Sequence, residues 1–400
     1  MDILPDIEDL LNSLSESETR IETRRSGPFT FRLGVDGAAL ATLYQRVLDA
    51  HERLNASPLS QVARQLEREV VASSIFGTNS IEGGTLTEEE TQQVLDLDPT
   101  QVREEEQLRA VNLKAAYDVA QQAATTPGWR LEVPFIQKVH AAITQGLTHP
   151  HNQPGVFRDN PKALKTHVGN REHGGRYQPP QHGHDIETLM QVLASWHQEL
   201  VARPIPALIR APLVHYYYEL IHPFWDGNGR VGRVLEAALL QADGFRYAPF
   251  ALARYYLAHI DEYFTLFNRC RRDAKRDVAH PHTPFVRFHL EGMRVSINGL
   301  HDRVNTIVKV LLFETQVRQL HDEKQLNARQ YTIITQLLRS GPLPLAEMRR
   351  APWYQSLYLK LTDKTRQRDL HRLRELGLVT VDRQERLLPG FVRVQSAPDD

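Results

Sequence analysis

Ile221-His222-Pro223-Phe224-Trp225-Asp226-Gly227-Asn228-Gly229-Arg230-Val231-Gly232-Arg233 is the stretch whose reading decides the fold. It contains Gly227-x-Gly229-x-x-Gly232, the spacing of a dinucleotide-binding fingerprint, which requires a β-strand immediately before the glycines. The preceding residues 211–221 (APLVHYYYELI) instead put Leu213, Tyr217 and Leu220 near helical spacing, and a His-Pro step and a charged Asp226 follow. The context is helix, loop, helix, so the doubly wound reading is set aside.

The loop holds the residue types that phosphate chemistry needs. Gly227 and Gly229, on either side of Asn228, let successive backbone N–H groups turn inward as an anion nest. The helix that follows, residues 230–242, points its positive end at the same spot. Arg230 and Arg233 project from its first turns, and guanidinium fits phosphate bidentately. Asp226 offers the hard oxygen that Mg²⁺ takes alongside substrate phosphates. His222 stands at the mouth, and imidazole is the side chain best suited to accept a proton near neutral pH. A base, a metal carboxylate, a nest and two arginines within twelve residues describe a nucleotide-phosphate transfer site.

His222-Pro223-Phe224-Trp225-Asp226-Gly227-Asn228-Gly229-Arg230-Val231-Gly232-Arg233 resembles the signature of the Fic family. The resemblance extends upstream. Residues 152–184 are dense in Gly, Pro, Asn and His and fit the β-hairpin flap of such domains; Gly155-Val156-Phe157-Arg158 resembles the stretch before the flap, and Tyr177-x-Pro179-Pro180 its exit. The resemblance implies transfer of AMP from ATP to a Ser, Thr or Tyr hydroxyl of a target protein. In that scheme His222 deprotonates the hydroxyl and Asp226 holds Mg²⁺ on the α- and β-phosphates. Gly227, Asn228 and Gly229 cradle phosphate oxygens, while Arg230 and Arg233 neutralise the leaving pyrophosphate. The flap would hold the target by main-chain pairing, with Lys165, Thr166, His167, Val168, Gly169 and Asn170 as the candidate edge. Transfer of another nucleotide or of phosphocholine is the near alternative. A DNA-binding transcriptional regulator with a secondary Fic domain is the distant one.

Thr78-Asn79-Ser80-Ile81-Glu82-Gly83 resembles the family's inhibitory motif. Thr78 and Glu82 lie one helical turn apart, and the helix stops at Gly83-Gly84, where glycine supplies a left-handed cap. The resemblance implies that Glu82 pairs with Arg233 and holds it away from ATP. In some relatives the same glutamate helps remove AMP, which implies a reverse reaction.

The expected fold class is mainly α: a helical Fic core with a β-hairpin flap, plus a C-terminal winged helix-turn-helix domain. The expected divisions are an acidic tail over 1–25, with a loose helix around 7–14; a helical region with the inhibitory helix over 26–110; the catalytic core over 111–300; a connecting helix over 301–326; and the winged helix over 327–400. Thr87 followed by three glutamates reads as a helix N-cap. After the long helix come a helix over 328–338, one over 345–350, one over 363–376, and β-like pieces at 379–381 and 388–394. From Leu326 the chain carries 13 Lys/Arg against 8 Asp/Glu, and the candidate recognition helix holds Lys364, Arg366, Arg368, Arg372 and Arg374. DNA binding through 327–400 is one reading; homodimer contacts or target docking is the other.

Composition bounds the remainder. Forty-eight basic against 49 acidic side chains argue against a protein that coats nucleic acid along its whole length. Cys270 is the only cysteine, which excludes an intrachain disulfide and a zinc site of several thiolates, and fits a reducing, cytoplasmic setting. The acidic N-terminus is unlike a signal peptide, and no window approaches 18 uncharged apolar residues, so no membrane partner is expected. The histidines between His140 and His184 lack paired ligand spacing and read as loop histidines on a polar flap.

Overall fold

The structure, a computed structural model, describes residue 11 and residues 17–98, 101–203 and 205–392. The expected helix around 7–14 lies outside these apart from Leu11. The chain divides into two compact units, Met1–Leu59 with Ala63–His301, and Ser60–Val62 with Asp302–Asp400.

The first unit opens with strands β1 (Glu18–Glu22) and β2 (Pro28–Arg32), paired antiparallel with Glu18 opposite Arg32. This corrects the expected tail over 1–25. The run Glu-Thr-Arg-Ile-Glu is too charged to read as a strand locally, and a distant residue secures its turn. The Asp185 carboxylate accepts from the N–H groups of Arg24, Arg25 and Ser26 and from the Ser26 hydroxyl, at 2.8–3.0 Å.

Helices α1 (Ala41–Ala56), α2 (Leu59–Ile81), α3 (Glu88–Leu95), α4 (Glu105–Ala124), α5 (Val133–Thr144) and α6 (Gly183–Ala202) follow. Thr87 caps α3 as expected, its hydroxyl and the Glu90 carboxylate closing a capping box. Next come α7 (Ala207–Ile221), α8 (Asn228–Ala242), α9 (Ala248–Ala258), α10 (Ile260–Lys275) and the 40-residue α11 (Thr283–Asp322), within which the division between units falls.

The centre of the first unit is α8, which packs against α4, α5, α7 and α9. Its Val231, Val234, Leu235, Ala237, Ala238, Leu239 and Leu240 are all buried, and so are the charged Arg230, Arg233 and Glu236 on its remaining side, so most of the helix has no solvent face. Each buried Val or Leu contributes about 1.5–3 kcal/mol. The loop at the start of α8 is therefore anchored to the best-packed element of the fold.

The flap between α5 and α6 is less regular than a hairpin. One antiparallel bridge, Val168 to Tyr177, joins its two arms. At the tip, side chains of α10 take the carbonyls that a ladder would use. Asn268 donates to the carbonyls of His173 (2.8 Å) and Gly175 (2.9 Å), and Arg272 donates to that of Gly174 (2.8 Å). Gly174 and Gly175, with φ of 89° and 109°, turn the chain there.

The second unit contains α12 (Ala328–Ser340), β3 (Leu343–Pro344), α13 (Leu345–Arg350), α14 (Pro352–Leu357), α15 (Asp363–Glu375), β4 (Val379–Val381) and β5 (Arg386–Pro389), with an antiparallel sheet in the order β3-β5-β4. Its core includes Ile333, Ile334, Leu337, Met348, Leu373 and Leu387. The helix α14 is absent from the sequence reading, because six residues behind a proline are too short to display a period. The last strand lies two residues earlier than expected, and residues 393–394 of the expected piece lie outside the described residues. Asp369 is buried here. It accepts from Asn327, Arg329, Gln330 and Tyr358, so this carboxylate faces the core rather than diluting the charge of α15's outer face. Among the described residues no helix is long and apolar enough to cross a membrane.

Candidate active site

Between α7 and α8 the chain leaves one helix and enters another within seven residues. His222 ends α7 in the left-handed region, φ 50° and ψ 63°, a conformation that costs a non-glycine residue about 1–3 kcal/mol unless its surroundings impose it. They do. The His222 N–H donates to the Tyr218 carbonyl (2.9 Å), and its own carbonyl accepts from Arg158 Nε (2.7 Å). The Arg158 N–H donates to the Pro223 carbonyl, and its guanidinium reaches the carbonyls of Pro180 and Ile221 and the Asn160 side chain. Burial lowers the Arg158 pKa to about 10, still well above neutral, so the clamp is charged. The Tyr177 hydroxyl contacts the carbonyls of Glu219 and Leu220 at 2.7 and 2.8 Å. Arg158 and Tyr177, noted in the sequence only as flap boundaries, hold the turn that aims His222.

The far side of the loop is closed by Asn228. Its side-chain amide donates to the Phe224 carbonyl (2.8 Å) and accepts from the Phe224 N–H (2.9 Å). Both ends of that amide are engaged, which leaves one side-chain N–H and the backbone N–H of Asn228 for a phosphate. Gly227, with φ 80°, permits the turn into α8. Asp226 accepts from the Gly227 N–H (2.7 Å) and from Arg230 Nη2 (3.1 and 3.2 Å). Burial pushes the Asp226 carboxyl up, but Arg230, the Gly227 amide and Arg109 outweigh it and hold the pKa below the usual carboxylate range.

His140 departs from the expectation of a loop histidine. It lies on α5, fully buried, with its ring stacked on Phe224 at 3.6 Å. The Gly155 N–H donates to Nδ1 (2.9 Å), which leaves Nε2–H to donate to the Asp226 carbonyl (3.1 Å). Burial pushes its pKa down to about 4. The signal was in the sequence: His140 shares the helical period of Ile136, Val139 and Ile143, the buried face of α5.

The end of α2 brings Glu82 to the start of α8. Glu82 Oε1 accepts from Arg233 Nη2 at 2.5 Å, and Arg233 also reaches the Thr78 carbonyl (3.3 Å) and the Tyr263 hydroxyl (3.4 Å). Burial opposes charge on Arg233, but Glu82 and Tyr263 more than restore it, raising its pKa. The carboxylate rests over Gly229, where any Cβ would collide with Oε1. Thr78 contributes its carbonyl to this arrangement, while its hydroxyl lies against Tyr117 (3.3 Å). Gly83 follows with φ 83°. Behind Arg233 a buried chain of contacts continues from Tyr263 through His215 to Glu236, which also meets Tyr256 and His289. This chain fixes one side of the guanidinium independently of Glu82.

One cavity of about 340 Å³ is lined by Glu82, His222, Gly229, Arg233 and the flap residues Val168, Gly169 and Asn170. Lys165, Thr166 and His167, which precede Val168 on the flap, are not part of this lining, and Asp226 and Arg230 pair with each other outside it. Buried donors remain without acceptors: Nε and Nη1 of Arg230 and Nε of Arg233. Orphaned guanidinium nitrogens fit a polyanionic ligand. Among the described residues no three His, Cys, Asp or Glu side chains cluster to hold a metal. A divalent ion on Asp226 would accordingly take its other oxygens from phosphate and water, which fits Mg²⁺.

Residues 130–240, which carry this loop, match the Fic/DOC family. They form a Fic domain. Over 190 residues the chain is 28% identical to a protein adenylyltransferase Fic from Drosophila ananassae, covering 46% of this chain and 35% of that protein. The counterpart from Drosophila willistoni is 27% identical over 186 residues, covering 46% and 34%. The chain thus matches about a third of the length of these curated relatives. A Fic family protein from Desulfovibrio desulfuricans G20 superposes with a TM-score of 0.54 at 18% identity, over 88% of this chain and 95% of that one. A fragment of Fic-1 from C. elegans gives 0.51 at 21% identity, over 68% and 77%. These structural likenesses concern the fold.

His140 makes the loop sensitive to acid. Its imidazole titrates near 6.5 when exposed and near 4 in the fold, so the unfolded chain binds the proton more readily. Stability should fall as pH drops from 6.5 toward 4, by about 3 kcal/mol from this residue. Urea midpoints at pH 7 and 4.5 should differ less in His140→Gln than in the unaltered chain.

Proposed function

We propose that the chain transfers AMP from ATP to a Ser, Thr or Tyr hydroxyl of a target protein, releasing pyrophosphate. The observation that carries this is the shared cavity, in which His222, Arg233 and the backbone at Gly229 meet the flap. In this reading His222 takes the proton of the hydroxyl as its oxygen attacks the α-phosphorus. The backbone N–H groups of Asn228 and Gly229 face the phosphates, that of Gly227 being held on the Asp226 carboxylate, and Arg230 and Arg233 stabilise charge on the leaving pyrophosphate. Mg²⁺ held by Asp226 would neutralise the α- and β-phosphates. The drop to 27–28% identity leaves the transferred group open in principle, so labelled ATP should be compared with other nucleoside triphosphates and CDP-choline.

The flap offers the target a prepared edge. Val168 uses its N–H and C=O on Tyr177, both at 2.9 Å. Thr166 uses its own on the side-chain amide of Gln181, at 2.8 and 3.2 Å, so a glutamine stands where a strand partner would be. By the alternation of a strand, Lys165, His167 and Gly169 direct their backbone groups outward. An incoming segment pairing there brings its hydroxyl to His222.

Glu82 is the brake. Its carboxylate engages Arg233 and covers Gly229, where phosphate would lie. At an effective dielectric of about 20 and a separation of about 4 Å, a pair of unit charges is worth about 4 kcal/mol before desolvation and ordering costs. Each net 1.4 kcal/mol is about tenfold in occupancy. The same carboxylate, beside bound AMP, is suited to assist the reverse reaction.

A second reading concerns the other unit. Arg349 on α13 and Lys364, Arg368 and Arg374 on α15 line one groove of about 650 Å³, and among the described residues no carboxylate pairs with them. Asp363 pairs with Arg366 and Glu375 with Arg372, so neither neutralises that groove. Four free cations on one face favour a DNA backbone over dimer contacts.

With labelled ATP and Mg²⁺, His222→Ala should abolish labelling while its circular dichroism is unchanged; labelling at the unaltered rate would refute the assignment. Glu82→Gly should raise self-labelling at least about tenfold, and an equal rate would remove the brake. In mobility-shift titrations of the full chain, Arg368→Glu with Arg374→Glu should abolish a steeply salt-dependent DNA complex. Absence of any complex at low salt would return the groove to protein contacts.

A further inference from the structure

Glu219 is a carboxylate that neither the brake nor the phosphate site uses. It lies on α7 one turn before His222, and its side chain is 13% exposed. Its Oε2 stands 3.6 Å from His222 Nδ1, about half an ångström beyond hydrogen-bond range. Oε1 is buried and lacks a partner, as is the Nδ1 of His222. The carboxylate thus stands, through Oε2, against a buried ring nitrogen that lacks a partner, and among the described residues Glu219 forms no other ion pair. A buried N–H without an acceptor costs about 1–3 kcal/mol, so closing this gap is the available remedy.

Three constraints hold the carboxylate there. The Tyr177 hydroxyl fixes the backbone carbonyl of Glu219 itself. The left-handed turn at His222 swings the imidazole back toward α7. On α8, Gly232 leaves room, since a Cβ there would stand 2.7 Å from Glu219 Oε1 and 2.8 Å from His215 Cδ2. The third glycine of the loop motif, at Gly232, thereby acquires a role that is not phosphate contact.

We propose that Glu219 is a positioning residue for His222: it accepts a hydrogen bond from Nδ1–H, which fixes the tautomer whose Nε2 lone pair faces the cavity. The proposal rests on the AMP-transfer reading for its consequence. As the target hydroxyl oxygen bonds to the α-phosphorus and the bond to the bridging oxygen breaks, the hydroxyl proton moves to Nε2. The resulting imidazolium keeps its Nδ1–H on Glu219, so the charge formed on the ring meets a carboxylate already in place. Without Glu219 the ring is free to carry its proton on Nε2, where it cannot act as a base.

The test has two arms. In ¹⁵N spectra of chain labelled at histidine, assigned with His222→Ala, His222 should show a protonated Nδ1 and an unprotonated Nε2. Glu219→Leu should reverse or average that signature, and Glu219→Gln, which keeps an acceptor, should largely retain it. In the Glu82→Gly background, self-labelling at saturating ATP should fall about 10²-fold in Glu219→Leu, the lower end of what a positioned general base contributes. The fall should be smaller in Glu219→Gln, with the ATP concentration for half-maximal rate unchanged in both. A protonated Nε2 in the unaltered chain, or a signature indifferent to Glu219→Leu, would overturn the proposal. If Glu82→Gly itself transfers no AMP, the transfer reading fails, and the ¹⁵N arm still decides the role of Glu219.

Discussion

The turn from Ile221 to Asn228 has to leave a helix, expose a histidine and start a second helix, and each step strands backbone groups that water cannot reach. Arg158 answers that constraint. Its planar fork takes carbonyls from both sides of the turn and from the flap exit at Pro180, while its N–H takes that of Pro223. Asn228 closes the same loop from within. A buried cation paired with carbonyls rather than a carboxylate is an expensive solution, and it is stable because α7 and α8, on which the turn is mounted, are buried along nearly their whole length.

Electrostatics divides the site into two halves with different partners. Asp226 and Arg230 satisfy each other, whereas Arg233 relies on a carboxylate from a helix more than 150 residues away in sequence. Behind it, Tyr263, His215 and Glu236 form a fixed rear contact. Burial would raise the Glu236 carboxyl, but the flanking His215 and His289 hold it well below the usual range, so a full negative charge lies in the core. Arg233 thus has a buried neighbour behind it and, in Glu82, a partly exposed one in front, which is the physical basis of the proposed brake.

Much of this was legible in the sequence. The helix–loop–helix context of the motif, the end of α2 at Gly83 and the cap at Thr87 are local features, and local features leave local signals. The juxtaposition of Glu82 with Arg233 was readable only by resemblance, since nothing in either segment states that they meet. The departures have non-local causes. The strand at Glu18–Glu22 depends on Asp185, the flap ladder is displaced by Asn268 and Arg272, and the Asn228 amide turns inward to Phe224. His140 carries a local signal of burial in the helical period it shares with Ile136, Val139 and Ile143, whereas its neighbours in the histidine-rich stretch further along the chain have none. Glu219 left no such trace, because a left-handed residue breaks the helical spacing by which neighbours are counted.

The Gln181 amide, which backs Thr166 in place of a strand, also limits what the flap is able to measure. Thr166 and Val168 are braced from behind through both N–H and C=O, and Asn170 through its C=O, which accepts from the Gly175 N–H at 2.8 Å. Under the proposed function, a guest segment sliding along such an edge would find equivalent positions only every second residue, and a single slip of that size would forfeit part of the braced pairing. The flap would then act as a short ruler with one good setting. It would be blind to the identity of the side chains passing over it, yet strict about how far each hydroxyl stands from the end of the segment that pairs.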